Sequence, residues 1–233
     1  MNIALFGYGK MGKAIEKIAQ SRGHTIVEKI DNNDNIYSFS KADVAIDFSI
    51  PSAAAKNITR ALQKGIPVIS GTTGWLSDYN KIVNLCGKIN GAFLYASNFS
   101  LGVNLFFELN NNLAQMMSQL KAYDASITET HHKQKLDAPS GTAITLAENI
   151  IKNSSYKQWS LDKKSLEILE ISSKRLDDIT GIHTVTYSSN EDSIEIKHTS
   201  KNREGFALGA IVAAEWIIGR KGIFTMKDVL NIS

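Results

Sequence analysis

Apolar positions in the first hundred residues follow two spacings that take turns. Short apolar-rich runs occur as "NIALF" at 2–6, "TIVEKID" at 25–31, "DVAIDFS" at 43–49, "PVISGTTG" at 67–74 and "AFLYASNFS" at 92–100. Each is bounded by small or polar residues, which predicts five strands. Between them, "KMGKAIEKIAQSRG" sets Met11, Ile15, Ile18 and Ala19 at helical spacing and stops at Gly23. "SAAAKNITRALQKG" (52–65) repeats the pattern with Ser52 as N-cap and Gly65 as stop, and "LSDYNKIVNLCG" (76–87) predicts a third helix. Strands alternating with helices of this length predict a parallel sheet with right-handed crossovers.

The rhythm changes near residue 100. "LGVNLFFELNNNLAQMMSQL" predicts a long helix, "AYDASITETHH" a strand and "SGTAITLAENIIK" a helix. A less regular part follows residue 152, and then "HTVTYSS" and "SIEIKHTS" alternate in strand fashion across "NED", a hairpin signal. "FALGAIVAAEWIIG" is almost continuously apolar, as a helix buried on most sides requires. The expected fold class is α/β. A parallel-sheet domain over 1–99, completed by the closing segment 204–233, accompanies an α+β domain over 100–203.

Composition narrows the function classes. With 233 residues, 43% hydrophobic and 21% charged, the chain has the profile of a globular protein with a real core. A formal charge of +3, without a lysine or arginine block, gives no electrostatic reason to expect nucleic acid or membrane as partner. Cys86 is the only cysteine, which excludes an intramolecular disulfide and a multi-cysteine metal site. No signal-like N-terminus and no apolar run of about 18 residues is present, so a cytoplasmic location is expected.

"LFGYGKMG" places Gly7, Gly9 and Gly12 in a G-x-G-x-x-G pattern between a strand and a helix. The first glycine permits the tight turn, the second lets a pyrophosphate approach the backbone, and the third lets helix and strand pack closely. Asp31 ends the second strand, where its carboxylate can accept from an adenosine ribose. With Asn32 next and no adjacent arginine, NADH is favoured over NADPH, although Lys29 is near enough to turn inward. "SGTTG", with Gly71, Thr72 and Thr73, and "ASNF", Ala96 to Phe99, follow the fourth and fifth strands, where ligands of open parallel sheets bind. Their backbone groups are candidates for the nicotinamide end.

"HHKQKLDAPSGTA" (131–143) compresses two histidines, two lysines, an aspartate and a turn into thirteen residues. Beside a reduced nicotinamide, an imine-type hydride acceptor needs its nitrogen protonated, a task suited to an imidazole with an unperturbed pKa of about 6.5. Of His131 and His132, one faces the cleft and the other supports or binds. Lys135 brings an ammonium to the same place, and Asp137 either accepts from turn amides or fixes Lys135. Ser140 or a neighbour opens a helix whose free amides near Gly141 and Thr142 suit a carboxylate. The constellation fits a small, anionic, nitrogen-containing electrophile. A metal site is not expected, because adjacent histidines do not share a strand face and only His24, His183 and His198 remain.

"ETHHKQKLDAPSGTA" resembles the signature of the 4-hydroxy-tetrahydrodipicolinate reductase family, the bacterial and plant enzymes of the diaminopimelate route to lysine. The likeness extends through "FGYGKMG", "DFSIP", "SGTTG", "ASNFSLGVN" and "HTSKNREGFALGAIVAAEWIIGRKGIFTMKDVL", nearly the whole chain. It implies a Rossmann-type nucleotide-binding domain over 1–99 with 204–233, a substrate-binding and oligomerisation domain with a mixed sheet over 100–203, a homotetramer formed through that sheet, and reduction of a cyclic hydroxy-dicarboxylate by NADH or NADPH with loss of water. It further implies that His131 is the proton donor/acceptor and Lys135 a proton donor, with substrate contacts at His132, Ser140, Gly141 and Thr142. Cofactor contacts fall on Gly7, Tyr8, Gly9, Lys10, Met11, Gly12, Asp31, Gly71, Thr72, Thr73, Ala96, Ser97, Asn98 and Phe99, and Arg203 resembles a family arginine near the cofactor. The chain departs from the pattern in being short, mostly between 152 and 182, where a surface loop is expected to be trimmed, and in Asn32, where some members carry arginine. Two rival readings share the first domain: a Rossmann-type dehydrogenase acting on a small amino acid or a sugar, and a non-catalytic NAD sensor.

Overall fold

The computed structural model describes residues 1–31, 39, 41–163, 165–177, 179–202 and 204–232. Asn32 and Arg203 lie outside the described residues. In chain order the elements are β1 (Asn2–Phe6), α1 (Lys10–Ser21), β2 (Thr25–Ile30), β3 (Val44–Asp47), α2 (Pro51–Gln63), β4 (Val68–Ser70), α3 (Tyr79–Lys88) and β5 (Ala92–Tyr95). They continue with α4 (Leu101–Met117), β6 (Asp124–His131), α5 (Gly141–Lys152), β7 (Gln158–Leu161), β8 (Ile168–Arg175), β9 (Gly181–Ser188) and β10 (Ser193–Ser200). The chain closes with α6 (Glu204–Ile217), β11 (Gly222–Phe224) and α7 (Met226–Leu230). Two compact units result: Met1–Leu101 with Glu204–Ser233, and Gly102–Arg203.

The first unit is built on a parallel sheet in the order β11-β5-β4-β3-β1-β2. Alternation along each strand serves both faces, so the strands read as nearly continuous apolar runs. Ile3, Leu5, Val44, Ile46, Ile69 and Leu94 pack with Ile15 and Ala19 of α1 and the inner residues of α6. Ala4, Phe6, Ala45, Val68 and Phe93 pack on the opposite side with Ile58 and Leu62 of α2 and Ile82 of α3. Each fully buried large side chain contributes about 1.5–3 kcal/mol. Helix α2 begins earlier than the sequence reading placed it. Ile50 is the N-cap and Pro51 occupies the first turn, where a missing N–H costs nothing, so Ser52 lies inside the helix.

Helix α6 is buried through Ala207, Gly209, Ala210, Ile211, Ala213, Ala214 and Ile217. Its approach is closest at Gly209, where a Cβ would stand 1.7 Å from the Phe99 carbonyl oxygen. The sequence signal for this helix holds. The closing segment also contains β11, which extends the sheet beside β5.

In the second unit the sheet order is β10-β9-β6-β8-β7, with β6, β8 and β7 mutually parallel and β9 and β10 antiparallel to their neighbours. The part after residue 152 that lacked a periodic signal thus supplies two strands, one of them directly beside β6. Ala125, Ile127, Leu169, Ile171, Val185 and Tyr187 face Phe106, Leu113 and Met117 of α4 and Ala143, Leu146 and Ile150 of α5.

Candidate active site

In the second unit, the period of two along β6 puts Ala125, Ile127, Glu129 and His131 on one face. The first two enter the apolar core and the last two continue the row as polar groups. Cross-strand register sets Glu129 opposite His183 on β9 and opposite Ser173 on β8, and His131 opposite Arg175. Glu129 is fully buried, and His131 and His183 are 7% and 5% exposed.

Glu129 is the centre of this cluster. Its Oε2 accepts the Ser140 N–H at 3.0 Å, and its Oε1 accepts the Ser173 hydroxyl at 2.6 Å and guanidinium contacts from Arg175 at 3.3 and 3.4 Å. The same Oε2 lies 3.6 Å from His131 Nδ1 and 3.7 Å from His183 Nε2. Burial pushes the carboxyl's pKa up, but hydrogen bonding from His183, Ser140 and Ser173 outweighs it and holds the group well below the usual carboxylate range. His131 goes the other way from an ordinary histidine. Burial, then the neighbouring His183, push its imidazole down to about 4, against the pull of Glu129 and with Lys135 and Arg175 adding to the effect. The two rings meet edge to face at 5.0 Å.

Ser140 caps α5: its Oγ accepts the Ala143 N–H at 3.2 Å and lies 3.0 Å from His183 Nε2. Ile144 N–H reaches the Ser140 carbonyl, so the Gly141 and Thr142 amides are left without a partner among the described residues. Lys135 is mostly covered, and its ammonium contacts both oxygens of Asp137 at 2.8 Å. Asp137 therefore fixes the lysine, one of the two roles open to it. Arg175 donates to the Asp137 carbonyl at 2.7 Å, which ties this loop to β8. His132 is half-buried, and its Nδ1 is sealed without a partner. The stretch 131–142 thus gathers a buried neutral imidazole, an ammonium and two unpartnered amides, with His132 and Ser140 in the same run.

The sequence reading missed Glu129, Ser173, Arg175 and His183. The alternation of "ETH" already set Glu129 and His131 on a common face, but His183 joins them only through strand register. Glu129, His131 and His183 hold donor atoms within 4.8 Å of one another, a set that could ligate a metal ion. The carboxylate oxygens already receive donors from Ser140, Ser173 and Arg175, so the arrangement is that of a hydrogen-bonded polar core.

In the first unit, the other candidate residues gather at the carboxyl ends of the parallel strands. Gly7 has φ +83° and donates its N–H to the Ile30 carbonyl; a Cβ there would lie 2.2 Å from the Phe48 carbonyl oxygen. At Gly12 a Cβ would lie 2.3 Å from the Gly7 carbonyl oxygen, whereas at Gly9 it would meet nothing within 4 Å. Two glycines therefore serve close packing and the middle one borders open space. The first turn of α1 has no acidic residue and contains Lys10, Met11 and Lys13. Tyr8 hydrogen-bonds Glu16, and the Lys29 ammonium lies 2.7 Å from Glu16 and 3.1 Å from the Tyr8 hydroxyl. Lys29 is thus engaged beside the turn. Asp31 follows β2 and is exposed.

Gly71, Thr72 and Thr73 follow β4, and Ala96 to Phe99 follow β5. Phe99 is buried against Phe48, with its carbonyl packed close to Gly209 of α6, whereas Ala96, Ser97 and Asn98 before it keep some exposure. Asp47, at the end of β3, was not singled out from sequence. It is fully buried and accepts Ser49 and Ser70 hydroxyls at 2.6 and 2.7 Å, and burial pushes its carboxyl up. It ties the loop after β3 to the end of β4.

Residues 1–99 match the family described as dihydrodipicolinate reductase, N-terminus, and residues 102–230 match dihydrodipicolinate reductase, C-terminus. The chain is 57% identical to a 4-hydroxy-tetrahydrodipicolinate reductase of Christiangramia forsetii, over 99% of this chain and 98% of that one. It is 34% identical to one of Archaeoglobus fulgidus, over 99% and 100%. Among solved structures, a dipicolinate-bound dihydrodipicolinate reductase from Paenisporosarcina sp. TG-14 aligns over 97% of both chains with TM-score 0.77 and 23% identity. A myo-inositol dehydrogenase from Corynebacterium glutamicum aligns over 95% and 90% with TM-score 0.55 and 15% identity. The structural likenesses show a shared fold; the sequence matches carry the family.

Proposed function

Because the chain belongs to the dihydrodipicolinate reductase family, we propose that it reduces 4-hydroxy-tetrahydrodipicolinate to tetrahydrodipicolinate with NAD(P)H, in diaminopimelate and lysine biosynthesis. One hydride and one proton enter as the hydroxyl departs in a molecule of water. The observation that carries this reading is the run 131–142, where a proton-transfer group stands with an ammonium and two free amides.

The first unit fits a dinucleotide through the open backbone at Gly9 and the acid-free first turn of α1. Residues 7–12 would hold the pyrophosphate, Asp31 the adenosine ribose, and 71–73 with 96–99 the nicotinamide end. The bound cofactor supplies the hydride. Lys29, already held by Glu16 and Tyr8, offers little compensation for a ribose phosphate beside Asp31, which favours NADH.

In the second unit His131 delivers the proton to the ring nitrogen as hydride charge arrives there. Lys135 and the Gly141 and Thr142 amides bind carboxylates, and His132 and Ser140 complete the substrate contacts. No metal enters this chemistry. A homotetramer through the second sheet is part of the same proposal: α4 and α5 pack on one sheet face, and Ser126, Thr128, Thr184 and Thr186 lie on the other. Among the described residues no helix is long and apolar enough to cross a membrane, consistent with a cytoplasmic enzyme.

The test is a coupled assay in which the upstream synthase generates substrate and the oxidation of NADH and of NADPH is followed separately. Absence of turnover with both cofactors would overturn the reading. His131→Gln is expected to lower kcat about a hundred- to ten-thousandfold, far more than it raises KM.

A further inference from the structure

We propose that Glu129 is a positioning residue that holds the His131 ring and the N-terminus of α5 as one unit, with His183 as its second arm. The inference rests on the functional reading above and adds residues outside the 131–142 run. Its basis is geometric. One carboxylate oxygen, Oε2, meets the backbone N–H of Ser140, the Nδ1 side of His131 and the Nε2 side of His183, at 3.0, 3.6 and 3.7 Å.

Nothing about packing calls for an acid at this position. The residues before it on the same face of β6, Ala125 and Ile127, are apolar and buried, and the core continues on both neighbouring strands. A buried carboxylate carries a large desolvation cost unless its lone pairs are filled, and here Ser140, Ser173 and Arg175 fill them. The fold thus devotes donors from α5's cap and from β8 to keeping a negative charge beside His131.

That placement has two effects. Ser140 is pinned at both ends, its N–H on Glu129 and its Oγ between the Ala143 amide and His183. This fixes where α5 begins and so where the Gly141 and Thr142 amides stand. His131 Nδ1 is sealed from solvent without a hydrogen-bond partner, and Glu129 Oε2 stands 3.6 Å from it, so the carboxylate's charge favours a proton on Nδ1 and leaves Nε2 as the reacting end. Gly181 permits this, because a Cβ there would lie 3.2 Å from Nε2. Proton transfer and carboxylate binding are then set by one buried anion. The charged and titratable groups around the ring are Glu129 on its own strand, Arg175 from β8, His183 from β9 and Lys135 from the loop, with His198 of β10 opposite His183.

Glu129→Gln and His183→Gln test the proposal, read by kcat, KM and the titration of the His131 ring by NMR. Glu129→Gln keeps an acceptor for Ser140 but removes the charge. It is expected to lower kcat at least about a hundredfold, toward the roughly ten-thousandfold loss that follows when an orienting carboxylate behind a catalytic imidazole is neutralised, and to move the His131 titration to lower pH. His183→Gln removes the competing imidazole and is expected to move it to higher pH. A purely structural role would lower thermal stability in both variants and leave the two titrations where they were. If the wild type turns over substrate while Glu129→Gln keeps its kcat, or if the titrations shift together in one direction, the proposal is overturned. Should Glu129→Gln fail to fold, an unmoved His131 titration in His183→Gln overturns it alone. Loss of turnover in the wild type itself would instead strike the functional reading.

Discussion

A dicarboxylate bound beside His131 should recharge that imidazole. In the free protein its pKa is pushed to about 4 from 6.5. At 1.36 kcal/mol per pH unit, the imidazolium is about 3.4 kcal/mol more costly than in water, and at pH 7 roughly one ring in a thousand is protonated. Lys135 and Arg175 contribute to that penalty, and both are cations that an incoming carboxylate offsets. One negative charge about 5 Å from the ring, at an effective dielectric near 20, is worth roughly 3.3 kcal/mol. That is enough to return the pKa to near 6.5, so the acid should be loaded by the molecule it is to protonate. Profiles of kcat/KM and kcat against pH separate the two states, since the first reports the free enzyme and the second the complex. For a group that acts protonated, activity falls as pH rises through its pKa. The descending limb of kcat/KM should therefore begin near pH 4 and that of kcat at least two pH units higher. Ring NMR of His131 with and without pyridine-2,6-dicarboxylate should show the same displacement. Coincident limbs, or a ring titration indifferent to the dicarboxylate, would refute the reasoning.

The same histidine makes stability depend on pH. Its folded pKa lies below the unfolded value, so the unfolded chain binds more protons between pH 6.5 and 4, and stability falls as pH drops through that window, by up to about 3.4 kcal/mol. Urea midpoints from pH 7 to pH 4.5 should show the slope in the wild type and a shallower one in His131→Gln; equal slopes would clear the residue. Gly9→Ala should keep the wild-type melting temperature and lose at least about tenfold in NADH affinity, because its Cβ meets open space where a phosphate belongs. Gly12→Ala should instead cost about 1–3 kcal/mol or more through the clash with the Gly7 carbonyl, read by chemical denaturation. Lys135→Ala should raise KM and lower kcat together by about tenfold or more while leaving NADH affinity intact, and an unchanged KM would remove its ammonium from the site.

The parallel sheet of the first unit was legible because strands buried on two faces are unbroken apolar runs, and glycines mark where each helix meets its strand. The signature run 131–142 was legible because its chemistry is local. What escaped the sequence was set by distance. His183 reaches Glu129 through the pairing of β6 with β9, and Arg175 reaches His131 through β8, neither of which has a short-range signal. Strand β8, "ILEISSKR", mixes core, site and exposed positions, so its alternation fades toward the end that carries Ser173 and Arg175. That adjacent histidines do not share a strand face says nothing of His183, which strand pairing brings to His131 and Glu129. Ser52 shows the opposite case: a good capping residue was displaced because Pro51 suits the first helical turn better.

The Met1–Leu101 unit is completed by α6, β11 and α7, which the ribosome delivers only after the whole intervening unit. At about 5–20 residues per second that delay is roughly five to twenty seconds. During it the nascent sheet carries Val44, Ile46, Ile69 and Leu94 on a face still missing its main apolar lid, and β5 is an unpaired edge. The growing polypeptide is most exposed to misassociation in that interval, and holdase chaperones have the most to do then.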